Sequence, residues 1–271
     1  MTLKLRSIVA VGSAGEGLGE ALASPADAIL LTLATDARPV GSLRNTAIEA
    51  LHGITEAGKH GVVTVNHPRT GLLRDDLDAI VSSNLHAVLL PHSVEPQDVR
   101  DIAVLLREFE LGRDIEPGTI AVFPIIDSAR GLLRAAAITE GAPRVGGLVF
   151  GAGAYARDVG ARAEEKGPRL AYARGAVVAA ARAFARQPLI VADGLELPHL
   201  AQYGFAGAVL PGSRYAALAN AAFSPAAHVV ERAQAHLSRY DAARGEGAYV
   251  ARHGEDLVDA DSARRARQFV E

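Results

Sequence analysis

The sequence predicts an α/β fold: a (β/α)8 barrel of the TIM type over residues 1–224, followed by a C-terminal helical extension over 225–271. Three observations lead there. Short apolar runs recur eight times, each about the length of a strand buried on both faces. Amphipathic stretches separate them. The chain after Pro225 breaks the alternation. Eight strand–helix units in 271 residues point to one barrel, with a doubly wound sheet as the structural alternative.

The runs occupy 7–11, 28–33, 61–66, 87–91, 120–126, 147–151, 188–192 and 207–211. The clearest helical stretches lie between them. "DDLDAIVSS" spans 75–83, and "PQDVRDIAVLLREFEL" spans 96–111. The latter has Pro96 at its start and Val99, Ile102, Ala103 and Leu106 on one face. A helix over 128–138 begins at Ser128, a residue suited to cap it, and another covers 172–185. In the tail, 226–244 reads as a helix, "GEGAYVARHGEDLVD" as a loop or hairpin, and 262–270 as a last helix. The tail exceeds what barrel closure needs, so its apolar residues are expected to pack on the barrel or on a neighbouring subunit.

Composition narrows the function. Hydrophobic residues make up 49% of the chain, enough for a sizeable core. The net charge of -3 gives no basic face for nucleic acid. With no cysteine, thiolate metal sites and cysteine nucleophiles are excluded. The apolar run after Lys4 and Arg6 is too short for a secretion signal, and no stretch reaches a membrane span of about 20 apolar residues. A cytoplasmic protein without membrane or nucleic-acid partners is expected.

In a barrel, chemistry gathers at the C-terminal ends of the strands. Those ends carry Gly12 and Ser13, Thr32 and Thr35, then Thr64, Asn66 and His67. His92 and Ser93, Asp127 and Ser128, Gly151 to Ala154, Asp193, and Gly212 to Arg214 follow. The set is mostly neutral. Asp127 is the carboxylate placed directly on a strand end near the middle of the barrel. A Mg²⁺ ion normally takes one or two carboxylates plus substrate and water oxygens, so Asp127 alone makes a weak site. Asp158 lies one helical turn beyond Ala154 and reads as a solvated or capping residue. "GSAGEGLGE" over 12–20 is glycine-rich but misses the G-x-G-x-x-G spacing, with Asp36 standing where a ribose-binding acid would fall. There is no Walker or G-x-S-x-G pattern, and the nine histidines form no H-E-x-x-H spacing. His67 and His92 read as hydrogen-bonded loop histidines, and Arg130 as a helix-start arginine paired locally.

The order of segments carries a resemblance. "ADAILLTLATDA", "VVTVNHPRTG", "AVLLPHSVEPQDVRDIAVLLRE", "PIIDSARGLLRAAAI", "PRVGGLVFGAGAYARDVGA", "YARGAVVAAARA" and "NAAFSP" follow one another across nearly the whole chain. This resembles the citrate lyase beta-subunit-like group of the HpcH/HpaI aldolase family, most specifically over 120–185. The resemblance implies a barrel that cleaves or forms carbon–carbon bonds in keto acids or acyl-CoA thioesters such as citryl-CoA and malyl-CoA. It implies Mg²⁺ holding the keto acid or its enolate, and a homotrimer or hexamer.

Matched position by position, the resemblance makes Asp127 the metal ligand and a catalytic candidate, in place of a glutamate. It puts His92 where a lysine is usual, as the second catalytic candidate. It makes Thr64, Asn66, Gly153 and Ala154 the substrate-binding positions. Thr64 stands in place of an arginine, and Gly153 and Ala154 in place of an acidic pair that supplies the second metal carboxylate. An acidic "DLED" becomes "TLAT" over 32–35, and the region around 196–203 is shortened. Two expectations follow. One is a Mg²⁺-dependent lyase relative that retains Asp127. The other is a non-catalytic member that binds a ligand or serves as an assembly subunit.

Overall fold

A computed structural model describes residues 3–12, 15–34, 40–161 and 170–270. Ser13, Thr35 and Asp36, singled out above, lie outside the described residues. Eight parallel strands close into a barrel in chain order: β1 (Ser7–Ala10), β2 (Ala28–Thr32), β3 (His60–Thr64), β4 (Leu85–Leu90), β5 (Ala121–Ile126), β6 (Gly147–Phe150), β7 (Gln187–Val191) and β8 (Gly207–Leu210). β1 pairs with both β2 and β8, which seals the ring and leaves no sheet edge. All eight apolar runs are strands, and the alternative of an open doubly wound sheet falls away.

The helices follow the strands: α1 (Leu18–Ala23), α2 (Val40–Glu56), α3 (Leu73–Ile80), α4 (Pro96–Gly112), α5 (Ala129–Leu133), α6 (Ala135–Glu140), α7 (Ala152–Asp158), α8 (Ala171–Ala183), α9 (Leu197–Gln202) and α10 (Ala216–Phe223). α4 starts as the sequence suggests. Pro96 opens its first turn, and Glu95 and Asp98 cap it reciprocally. The single helix expected over 128–138 is two, α5 and α6. They meet at Arg134, whose φ of -114° leaves helical geometry.

The strands bury both faces, which is why they read as unbroken apolar runs rather than alternating ones. Inside the barrel, Leu30, Val62, Leu89, Phe123, Val149 and Leu189 form one cluster. Facing the helices, Ile29, Val63, Val88, Val122, Leu148 and Ile190 belong to a second, larger one. The period of two that separates these sets also decides what reaches the mouth. Thr32, Thr64 and Asp127 continue the inward register of Leu30, Val62 and Ile125.

A buried ion pair ties the end of α4 to the chain entering β5. Glu110 near the end of α4 is fully buried and meets Arg144 at 2.8 Å. Its other bonds come from the N–H groups of Gly118 and Ile120. Arg144 also donates to the Ile120 carbonyl.

The described residues form two compact units, one from Leu3 to Phe223 and the other from Ser224 onward. The second contains α11 (Ala227–Gly245), the hairpin β9 (Ala251–His253) and β10 (Asp256–Val258), and α12 (Ala260–Val270). Its small core gathers Tyr240, Ala251, Val258 and Ala263. Among the described residues, no helix is long and apolar enough to cross a membrane.

Candidate functional site

The strand ends of the first unit converge on Asp127 and His92. Asp127 follows β5 and is buried to 7% exposure. His92 follows β4 and is 74% exposed. The backbone N–H of His92 donates to Asp127 Oδ2 at 3.1 Å, and His92 Nδ1 lies 2.8 Å from the same oxygen. One carboxylate oxygen thus accepts the backbone N–H and faces the ring at ion-pair distance.

Local packing imposes this geometry. Ser93 is fully buried; its hydroxyl donates to the Leu90 carbonyl and its N–H to the Ile125 carbonyl. These bonds pin the chain on the far side of His92, which takes a φ of 55°. A side chain in that left-handed region costs about 1–2 kcal/mol. Strain of this kind persists where the surroundings over-determine it, and here it sets the imidazole against Asp127. Gly151 makes room on the opposite side. A Cβ there would stand 3.0 Å from the Asp127 Cβ and 3.2 Å from Ile125 Cγ2.

The dyad has a defined chemistry. The ring faces Asp127 at ion-pair distance without hydrogen-bond geometry, and a small rotation that brings Nδ1–H onto Oδ2 would present Nε2 as an acceptor. The exposure of the ring leaves that nitrogen open to a substrate. Asp127 Oδ1 receives no hydrogen bond from any described residue.

The remaining candidates divide. The Thr64 hydroxyl makes no hydrogen bond to a described residue, and Thr64 pairs with Thr32 across β2 and β3 at the mouth. Asn66 is tied down. Its Nδ2 donates to Asp76 Oδ2 at 2.8 Å and to the Leu33 carbonyl at 3.3 Å, and its N–H donates to the same Asp76 oxygen. Asp76 is fully buried and takes Arg44 at 2.8 Å on its other oxygen. Asn66 therefore holds the β2 and β3 ends together. Gly153 and Ala154 sit in the first turn of α7, exposed and half-buried respectively.

Asp158 is a capping residue, accepting from the Ala129 N–H at 2.7 Å. His67 is a structural histidine. Its Nδ1 accepts from the Arg69 N–H, which caps the short 3₁₀ turn Pro68–Thr70. Its Nε2 lies 3.4 Å from Asp98 Oδ1 without hydrogen-bond geometry. Burial lowers its pKa against the opposing pull of Asp98, so it is held neutral. Arg130, expected to be paired, forms no ion pair with a described residue, and neither does Arg157.

Sequence reasoning named His92 and Asp127 separately but missed their contact, which depends on the left-handed turn at His92. It also missed Arg157. A Cβ at Gly153 would lie 3.8 Å from Arg157 Nη1, so a cation stands beside a position where the resemblance puts an acid. A Gly153→Glu variant is expected to pair with Arg157 and to leave Mg²⁺ affinity unchanged. Ala154→Asp alone is the variant expected to raise it. Calorimetric Mg²⁺ titration of the two variants checks the split.

A closed parallel barrel with its polar groups gathered at the C-terminal strand ends is the arrangement of TIM-type barrels, whose active sites lie at that face. The chain belongs to the HpcH/HpaI aldolase/citrate lyase family, whose model matches residues 12–193. It is 28% identical over 254 residues to citrate lyase subunit beta of Escherichia coli (strain K12), covering 90% of this chain and 84% of that subunit. It is 26% identical over 261 residues to (3S)-malyl-CoA thioesterase of Cereibacter sphaeroides (strain ATCC 17029 / ATH 2.4.9), covering 91% of this chain and 86% of that enzyme. Its fold matches that of CitE from Mycobacterium tuberculosis in complex with magnesium, acetoacetate and coenzyme A. The TM-score is 0.67 at 20% identity, covering 99% of this chain and 98% of that one.

Magnesium in that relative raises the question of fit. Mg²⁺ demands near-octahedral oxygen coordination, usually with one or two carboxylates beside substrate oxygens. Here Asp127 Oδ2 is taken by His92, and only Oδ1 remains. Among the described residues, Asp127 belongs to no cluster of three metal-ligating side chains. Among the described residues, the mouth thus offers such an ion one carboxylate, with one of its oxygens unengaged.

Proposed function

We propose that this protein is a carbon–carbon lyase relative that acts on a β-hydroxy acid or its CoA thioester, of the malyl-CoA or citryl-CoA type, and releases a keto acid. We infer that its acid–base group is the His92–Asp127 dyad and that its standard Mg²⁺ site is lost. The carrying observation is the double contact from His92 to the buried Asp127 carboxylate.

In this reading His92 Nε2 takes the proton of the substrate hydroxyl. The O–H electron pair becomes the new carbonyl bond of the keto acid. The adjacent carbon–carbon bond breaks, and its electron pair remains on the α-carbon of the thioester as an enolate. The imidazolium, held by Asp127, returns the proton to that carbon. Arg130 and Arg157 supply positive charge for the substrate carboxylate and the developing enolate, and Thr64 offers a neutral hydroxyl at the floor of the mouth. Membership of the family and the malyl-CoA and citrate relatives support the substrate class.

The test is turnover of malyl-CoA and citryl-CoA by the full chain, followed by release of the keto acid, in EDTA and in Mg²⁺. The expected result is turnover in EDTA that added Mg²⁺ does not raise. Strict dependence on Mg²⁺ would return Asp127 to the position of a metal ligand. Absence of turnover, with no binding of keto acid or CoA, would favour the second reading, a non-catalytic assembly subunit. That reading rests on the missing second carboxylate at Ala154 and on the loss of the arginine position to Thr64.

A further inference from the structure

The second unit contains a cluster of side chains that the barrel chemistry does not use. We propose that His236, His253 and Asp256 form a transition-metal site of the Zn²⁺ class.

Two elements assemble it. In the hairpin, His253 and Asp256 are direct cross-strand partners on either side of a two-residue turn. Paired residues of this kind project from the same face of the ribbon. Gly254 opens the turn with a φ of 62°, the backbone region that tight hairpin turns reserve for glycine at that position. The third residue, His236, comes from α11. Its ring meets that of His253 edge-on, with centroids 5.1 Å apart.

His236 supplies the observation that points to a ligand. Its side chain is 15% exposed, and its Nε2 is a buried atom with no hydrogen-bond partner. Leaving such an atom unsatisfied is costly, and native structures rarely tolerate it without a reason. Nε2 stands 3.3 Å from Asp256 Oδ2, close but without hydrogen-bond geometry. A metal between them would satisfy the nitrogen.

The distances suit a small tetrahedral ion. With Zn–N and Zn–O bonds of about 2.0–2.1 Å, neighbouring ligand atoms sit about 3.3–3.4 Å apart. The His236–Asp256 separation of 3.3 Å already has that length. All three ligand atoms lie within 4.8 Å of one another, so ordinary side-chain rotation closes the remainder. Two imidazoles and one carboxylate favour Zn²⁺, Co²⁺ or Ni²⁺ over Mg²⁺ or Ca²⁺, which prefer all-oxygen sets. His236 and Asp256 also line a groove of about 360 Å³, shared with Val229, Arg232, Arg265 and Phe269. The groove leaves space for a water as fourth ligand.

Arg232 is the competitor. It reaches Asp256 Oδ2 at 2.6 Å, but it is 62% exposed and free to swing toward solvent. Without metal it neutralises the carboxylate. With metal it is displaced.

The full chain, stripped with chelator, is titrated with Zn²⁺ by calorimetry and with Co²⁺ by visible absorption. The expected result is one equivalent bound, with the absorption of a four-coordinate Co²⁺ site. His253→Ala is expected to weaken binding by at least about a hundredfold, since even outer-shell losses cost about 10–100-fold. His253 sits at a hairpin end, so this variant is expected to fold. Asp127→Ala is expected to leave the affinity unchanged, which separates this site from the barrel mouth. No binding at micromolar metal would overturn the proposal. So would binding that survives His253→Ala, or binding that Asp127→Ala abolishes.

Discussion

His92→Ala is expected to lower turnover of the thioester substrate by about 10²–10⁴-fold, the usual contribution of a positioned acid–base group. Asp127→Asn is expected to lose a similar factor. An asparagine placed there cannot both receive the His92 N–H and stabilise a charged imidazolium, and it frees the ring from its tautomer. Substrate binding is expected to survive both changes, so the loss falls in kcat rather than KM. His92→Gly separates the chemistry from the fold. It removes the imidazole but suits the φ of 55°, so its stability should stay within about 1 kcal/mol of the parent while turnover is lost. Steady-state kinetics in EDTA, beside chemical denaturation, measures both. Full turnover in His92→Ala would end the dyad reading.

Glu110→Ala carries the largest expected effect on stability, about 3–5 kcal/mol, the range for breaking a buried ion pair by removing one partner. The variant leaves the Arg144 guanidinium, only 9% exposed, without its carboxylate. It also strands the N–H groups of Gly118 and Ile120, which donate to Glu110. The pair has a pH signature. Burial opposes ionisation of Glu110, but Arg144 and the two backbone N–H groups outweigh it and lower the pKa below its ordinary 4.5. A carboxylate with a depressed folded pKa adds stability that is present in full above the unfolded value. That contribution fades as pH falls through the lowered folded value. The parent protein should therefore lose stability below about pH 4.5 more steeply than Glu110→Ala does, as urea denaturation over that range will show.

The two effects reflect different demands on the fold. The ion pair at Glu110 anchors α4 to the base of β5, at the opposite end of that strand from Asp127. The dyad asks for a strained turn at His92, held by the buried Ser93 hydroxyl and N–H. The strain at His92 is tolerable because the barrel around it binds the chain on both sides.

The barrel was legible in the residues because its physics is local and periodic. A strand buried on both faces must be apolar throughout, and the eight runs announced the eight strands. Pro96 and Ser128 marked helix starts through backbone geometry that neighbours in sequence dictate. Asp127 stood out as well, because a carboxylate at a strand end of a barrel faces its mouth. The break between α5 and α6 at Arg134 was not legible, since "SARGLLRAAAI" keeps helical periodicity through it.

Partnership belonged to the tertiary structure. Asp127 and His92 are 35 residues apart, and their contact requires the β4 and β5 ends to be neighbours in the barrel. Asn66 reads as a substrate contact from its motif, and the structure adds that its Nδ2 is engaged by Asp76 and the Leu33 carbonyl. Arg157 beside Gly153 is the exception, an i,i+4 pair on α7 that helical geometry alone brings together. His236 joins His253 and Asp256 only because a helix packs against a hairpin. Sequence patterns report which groups are affordable at each position, since burial and backbone geometry act on single residues. Which groups meet is decided by long-range packing, and both proposed sites are made of such meetings.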